Sequence, residues 1–319
     1  MRILLATDGS RSSEQARDLV AAMPWPAGTT IRIVSVVPRN ASVAASWTPE
    51  TAYQPEEDRY REPVVRARAV ALADAERDLS LAHPDALIER FLLRGRAASL
   101  IVREAHDFAA DLVVMGHRGH GTIDTMVLGS VSAEVVDHAP CAVLVARTAE
   151  LGQIVFADDG SPSARVAGTV LEGLPLPRRT PITVLTVADT GFPYDTAASP
   201  ALYNEAMALY RKSKDQAGQD ARAVASAAAV RFEQIGFRAS QVVRAGDPAH
   251  EIVAYAKEFR TGLLVLGTRG NTGLRRLILG SVARNVLLHA PCSVLIVRET
   301  VTPPADGEAL IAQAAGSDG

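Results

Sequence analysis

Two stretches of this chain carry the same frame of small residues, and that repetition limits the fold more tightly than any other feature. Gly116, Gly119, Gly129 and Ser130 recur as Gly267, Gly270, Gly280 and Ser281, each displaced by 151 positions (267 − 116; 281 − 130). The same displacement carries Asp8-Gly9-Ser10 onto Asp159-Gly160-Ser161, and Cys141 onto Cys292. An offset that holds from the first landmark to the last means duplication of a whole domain. A solenoid would repeat at a far shorter period. With 319 residues, each half is long enough to bury its own core.

Inside each copy the apolar runs alternate with helical patterns. In the first, Ile3–Ala6, Ile31–Val37, Phe91–Leu93, Leu112–Met115 and Ala142–Val145 read as strands. Ser10 or Ser12 can cap a helix through Ala16, Leu19 and Val20, and an alanine-rich helix runs to about Leu81. Ala97–Ala109 and Val131–Ala139 complete a strict alternation. In the second copy Ile154–Ala157, Ile182–Val187, Leu263–Leu266 and Val294–Val297 take the matching places, and Ser161-Pro162 marks a helix start. Alternation of this kind predicts an α/β fold. It takes the form of two tandem Rossmann-like, doubly wound domains, each with a five-stranded parallel sheet. The expected boundaries are 1–148, 149–300 and a C-terminal tail at 301–319 that is small, polar and alanine-rich.

The framed glycines lie between a strand end and a helix start, where main-chain N–H groups and the helix dipole favour an anion. Glycine there lets a phosphate approach the backbone. Ser130 and Ser281 add hydroxyls, and Asp8 and Asp159 place a carboxylate after the first strand of each copy. These two aspartates can either face a ligand or cap the first helix. Together the groups describe a triphosphate cradle, with a carboxylate available to a sugar or, through water, to Mg²⁺. No Gly-Lys-Ser/Thr follows the glycines, so this is not a Walker loop, and the frame is not GxGxxG.

Gly-x2-Gly-x9-Gly-Ser, followed by a helix ending in Ala-Pro-Cys and an apolar strand, resembles the ATP-binding branch of the universal stress protein family in tandem form. The resemblance runs to about residue 300. It implies a first site in which Gly116, Gly119, Gly129, Ser130, Val131 and Ser132 hold phosphates and ribose, Asp8 lines the pocket and the backbone at Val36 faces adenine. The second would use Asp159, Val187, Gly267, Gly270, Gly280, Ser281 and Val282. Ser132 becomes Ala283 in the second copy, and Asp124 and Thr125 become Arg275 and Arg276. The implied function is an ATP-binding regulator of stress response or signalling with up to two ATP per chain and Mg²⁺. A homodimer and an unidentified protein partner are further expectations.

Other features narrow the choice. Net charge is −3, which gives no general attraction to nucleic acid or an anionic membrane. No apolar run approaches membrane-spanning length and the N-terminus has no signal-peptide layout, so the expected location is cytoplasmic. Cys141 and Cys292 occupy matching positions and are expected as buried, reduced thiols. His117 and His120 correspond to Thr268 and Asn271, so solvent-facing histidines are expected rather than catalytic ones. Trp47 and Tyr53 are the candidates for an exposed contact or lid. No positioned base or acceptor motif occurs in both copies, so neither a catalytic residue nor a resident metal site is expected, and the chain reads as a non-enzyme with at most slow ATP hydrolysis. A slow ATPase, or a phosphoryl or adenylyl transferase, is the alternative.

Overall fold

The computed structural model describes residues 1–38, 55–119, 128–177, 179–189, 200–268 and 279–298, with side chains from 62 and 206 onward in the two long helices. The chain divides into two compact units, Met1–Glu150 and Leu151–Gly319. The expected tail at 301–319 lies outside the described residues.

Unit 1 runs β1 (Arg2–Ala6), α1 (Arg11–Ala22), β2 (Thr30–Val37), α2 (Pro55–Ala82), β3 (Leu87–Arg94), α3 (Ala97–Asp107), β4 (Leu112–Gly116), α4 (Ser130–His138) and β5 (Ala142–Ala146). All pairings are parallel, and the strand order is β3-β2-β1-β4-β5. The central strands are buried along nearly their whole length, as continuous apolar runs must be when both faces of a sheet are covered. α2 packs on β2 and β3, α1 on β4 and β5, and α3 against α4.

Unit 2 follows the same plan: β6 (Ile154–Ala157), α5 (Pro162–Gly173), β7 (Pro181–Ala188), α6 (Pro200–Gln234), β8 (Arg238–Ala245), α7 (Pro248–Glu258), β9 (Leu263–Gly267), α8 (Ser281–His289) and β10 (Ser293–Val297). Its order is β8-β7-β6-β9-β10, again parallel throughout. The doubly wound reading holds in both copies. Two corrections concern the outermost strands. β3 extends to Leu87–Arg94 rather than the short Phe91–Leu93, and β8 exists although its sequence, RASQVVRA, shows no apolar run. Each is paired on one side only within its unit, so charged residues on the strand remain compatible with hydrogen bonding to the neighbour.

Strand order reverses between β1 and β4, and between β6 and β9. Loops leaving the carboxyl ends of that pair therefore diverge and open a crevice. Asp8 and the Gly116 loop leave unit 1 at this point, and Asp159 and the Gly267 loop leave unit 2 there.

Candidate functional site

Each framed loop is closed at its neck by one backbone hydrogen bond. Gly129 N–H donates to the His117 carbonyl at 2.8 Å, and Gly280 N–H donates to the Thr268 carbonyl at 2.8 Å. The bond brings the start of α4, or of α8, back to the strand end it left. Both helices have glycine at the N-cap and no side-chain cap. By contrast Ser10, Ser161 and Asp247 cap α1, α5 and α7 through their side chains. Amides at the start of α4 and α8 are thus left for a ligand or solvent to satisfy. Ser130 and Ser281 are exposed at these helix starts, and Val131 and Val282 are half-buried behind them.

The glycines do different jobs. A Cβ on Gly116 would lie 2.6 Å from the Ser12 backbone, and one on Gly267 would lie 2.7 Å from the Ser163 backbone. These two let β4 and β9 pass against the first turn of α1 and α5, which is a packing role. Gly119 is exposed, and its Cβ would meet only Asp8 Oδ2, at 2.5 Å. The loop backbone at Gly119 therefore comes directly against the Asp8 carboxylate. Gly129 has φ −68° and ψ 148°, and Gly280 has φ −60° and ψ 157°. Neither is in the left-handed region, so no strained turn demands glycine there. A Cβ on Gly129 would sit 3.2 Å from the His117 carbonyl oxygen, so the neck is tight. Gly270, His120, Asn271, Asp124, Thr125, Arg275, Arg276, Trp47 and Tyr53 lie outside the described residues.

Asp8 Oδ1 accepts from Ser10 N–H at 3.0 Å, and Asp159 Oδ1 accepts from Ser161 N–H at 3.0 Å. The helix caps themselves are Ser10 and Ser161, so the aspartates shape the turn rather than cap the helix. Val36 and Val187 stand near the ends of β2 and β7, one strand over from the aspartates, since Ala6 pairs with Val34 and Ala157 with Leu185.

Ser132, expected to hold phosphate or ribose, makes a contact within the fold. Its side chain is buried, and its hydroxyl donates to the Gly116 carbonyl at 2.8 Å. The one proton that could serve a phosphate is spent on tying α4 to β4. His117 also departs from expectation. It is half-buried, with Nδ1 2.8 Å from Ser12 Oγ and 3.3 Å from the Ala146 carbonyl oxygen. Ser12 Oγ in turn accepts from Arg118 N–H at 3.2 Å. Burial, and then the positive charge of Arg147, push the His117 imidazole below its ordinary value. It is a neutral tether of the loop neck. Ser12, 105 positions away in sequence, gave no sign of that partnership.

Arg68 was also invisible to sequence reading. It comes from α2, donates through Nη1 to the Asp8 carbonyl, and stands 3.7 Å from Asp8 Oδ2. In unit 2 the residue before Asp159 is Asp158, which is buried and accepts from Gly160 N–H at 2.8 Å. Burial pushes the Asp158 carboxyl up, and the charge of Asp159 adds to this. The Gly160 amide, Arg231 and Arg165 oppose it. Asp158 and Asp159 are each fastened to an amide two residues on, not to a shared proton. Among the described residues, no cluster of three or more His, Cys, Asp or Glu could hold a metal ion, and Cys141 and Cys292 are free, buried thiols.

A cavity of about 690 Å³ between α1 and α2 is lined by Thr7, Gly9, Ser13, Arg17 and Arg66 among others. Among the described residues, its lining includes none of the stretch 116–130.

The fold and loops define a class: a duplicated, doubly wound α/β protein with a glycine-framed loop leaving each switch point. The universal stress protein family description matches residues 1–147 and again 151–298. A universal stress protein of Thermus aquaticus is 35% identical over 159 residues, covering 46% of this chain and 97% of that protein. One from Methanocaldococcus jannaschii is 43% identical over 67 residues, 21% of this chain and 39% of that protein. The crystal structure of a universal stress protein from Archaeoglobus fulgidus DSM 4304 aligns with TM-score 0.59 at 16% identity, covering 93% of this chain and 98% of that one, a likeness of fold. The chain belongs to the universal stress protein family, with two family domains in tandem. Among the described residues no helix is long and apolar enough to cross a membrane.

Proposed function

We propose that this chain is an ATP-binding regulator of stress response or signalling, with one nucleotide in each unit. The observation that carries this reading is the closed glycine loop, built twice: a 2.8 Å neck bond, a helix start without a side-chain cap, and a neighbouring aspartate. Amides of Ser130 and Val131 in unit 1, and of Ser281 and Val282 in unit 2, would hold phosphate oxygens. Asp8 and Asp159 would face the sugar or a hydrated Mg²⁺. The cation, when bound, neutralises phosphate charge. Backbone near Val36 and Val187 would face adenine.

The chain's own groups would bind and orient; among the described residues none is placed to move a proton at a phosphate. His117, the one histidine at a loop neck among the described residues, is occupied by Ser12. Nucleotide occupancy is therefore read as a signal, passed to a protein partner or a second copy of the chain in the cytoplasm. The test is mass spectrometry of ligand released from purified, denatured protein, followed by titration calorimetry with Mg-ATP. Near two ATP per chain is expected, and no binding at millimolar ATP would overturn the reading. A phosphate-release assay on the same preparation should show turnover near background; robust Mg²⁺-dependent release would make the chain an ATPase instead.

A further inference from the structure

We infer that Arg68 is a polyphosphate-reading residue of unit 1, and that it makes the two nucleotide sites chemically unequal. This rests on the ATP-binding reading above. Arg68 reaches from α2 to the end of β1, with its side chain only 13% exposed. One of its five N–H groups donates to the Asp8 carbonyl, and among the described residues no other hydrogen bond engages it. The guanidinium is thus held at the crevice with most of its donors unspent. Asp8 Oδ2, 3.7 Å away, is the same oxygen that abuts Gly119 of the loop. A side chain so placed, beside loop amides and a carboxylate, meets the charge of a polyphosphate and not the base.

Among the described residues, unit 2 has no cation in this place. A Cβ on Gly9 would meet Ala71 of α2 and one on Gly160 would meet Val224 of α6, so the two helices correspond at a displacement of 153. The position equivalent to Arg68 is the buried Ala221 (221 − 68 = 153), and the position equivalent to Thr7 is Asp158. The described charges around that turn are Asp158, Asp159, Arg165 and Arg231. Of these, Arg231 is ion-paired with Glu172, and Arg165 donates to the Gly160 carbonyl at 3.0 Å. Lys214 and Arg222 of α6 line a groove of about 620 Å³ against β8. Unit 1 therefore adds a cation to the shared frame where unit 2 adds an anion.

The experiment uses the full chain carrying Gly280→Val, which confines binding to unit 1, and measures ATP and adenosine separately by calorimetry without Mg²⁺. Arg68→Ala, which copies unit 2 at Ala221, should weaken ATP roughly ten- to hundredfold and leave adenosine almost unchanged, the range expected for a hydrogen bond to a charged group. Equal loss for both ligands would show a merely structural clamp on Asp8 and overturn the inference. Unchanged ATP affinity would overturn it too. If Arg68→Ala does not fold, Ala221→Arg in a Gly129→Val chain carries the test: ATP binding by unit 2 should tighten with adenosine unmoved, and no gain overturns the inference. Failure of the unmodified chain to bind ATP even with Mg²⁺ would sink the parent reading; normal ATP binding insensitive to Arg68 would sink only this one.

Discussion

Unit 1 ends β1 with Thr7-Asp8 and sets Arg68 on the Asp8 carbonyl, whereas unit 2 ends β6 with Asp158-Asp159 and carries Ala221 where Arg68 would stand. The hydrogen bonds that close the two loops are nonetheless the same length and join the same positions. A second exchange lies behind the crevice. In unit 1, Arg17 of α1 reaches Asp78 of α2 at 3.1 Å. In unit 2 the position of Arg17 is Gly168, and Arg231 of α6 fills the vacated space and pairs with Glu172 of α5. The backbone bond at the loop neck and the glycine at the helix start are held constant while the charges around them are rearranged. Loop closure therefore belongs to the shared chemistry, and charge to what distinguishes the sites.

The widest effect should come from the shared part. Gly116→Val or Gly267→Val drives a side chain into the first turn of α1 or α5, so each should cost about 3 kcal/mol or more. Urea unfolding should show the loss in whichever unit is mutated, with or without ATP. A stable Gly116→Val chain that had lost only ATP binding would reverse the assignment of Gly116 as a packing glycine. Next in size is Ser132→Ala, which makes unit 1 like unit 2 at Ala283. It removes the hydroxyl bond to the Gly116 carbonyl and should cost about 1 kcal/mol, with ATP affinity unchanged. Calorimetry showing weaker ATP at intact stability would return Ser132 to the ligand.

Two smaller effects depend on pH. Native Asp158 holds its proton more tightly than the unfolded chain, so stability is lost as pH rises from the ordinary aspartate value through the raised one. Asp158→Asn keeps an acceptor for Gly160 N–H. It should raise the melting temperature at neutral pH, with a gain that vanishes below the ordinary aspartate range. A gain of equal size at every pH would contradict this. His117 has the opposite sign. Its depressed value means that stability, full above the ordinary histidine value, falls as pH drops through the native one. His117→Thr, which copies Thr268, should flatten that part of the stability profile of unit 1. An unaltered slope would remove His117 as its source.

Much of this architecture was legible because buried parallel strands are written as unbroken apolar runs, such as Leu112–Met115 and Leu263–Leu266. The exact 151-residue displacement exposed the duplication before any element was placed. β3 and β8 were harder because edge strands mix charge with apolar residues, as in LIERFLLR and RASQVVRA. At the site, Asp8, Gly119 and the uncapped helix starts could be anticipated from local spacing. Arg68, 60 positions from Asp8, and the Ser12–His117 pair could not. Those contacts are set by which face of α1 and α2 the sheet turns toward the crevice, and local patterning does not encode that. The bond of Ser132 to Gly116 was hidden for the same reason: the resemblance implied a contact with phosphate or ribose, while the helix turns the hydroxyl onto the Gly116 carbonyl.

The central claim, that the two closed loops hold nucleotide, is tested most directly by thermal melts of four full-length chains with and without Mg-ATP: the unmodified protein, Gly129→Val, Gly280→Val and the double variant. Both glycines have extended backbone angles that valine adopts, so each apo chain should still melt cooperatively, with a modest loss from the tight contact between residue 129 and the His117 carbonyl. Stabilisation by a ligand follows its occupancy of the native state. The unmodified protein should therefore gain the most from Mg-ATP, each single variant less, and the double variant nothing. A full ATP-induced rise in the double variant would show that the phosphates bind somewhere other than these loops.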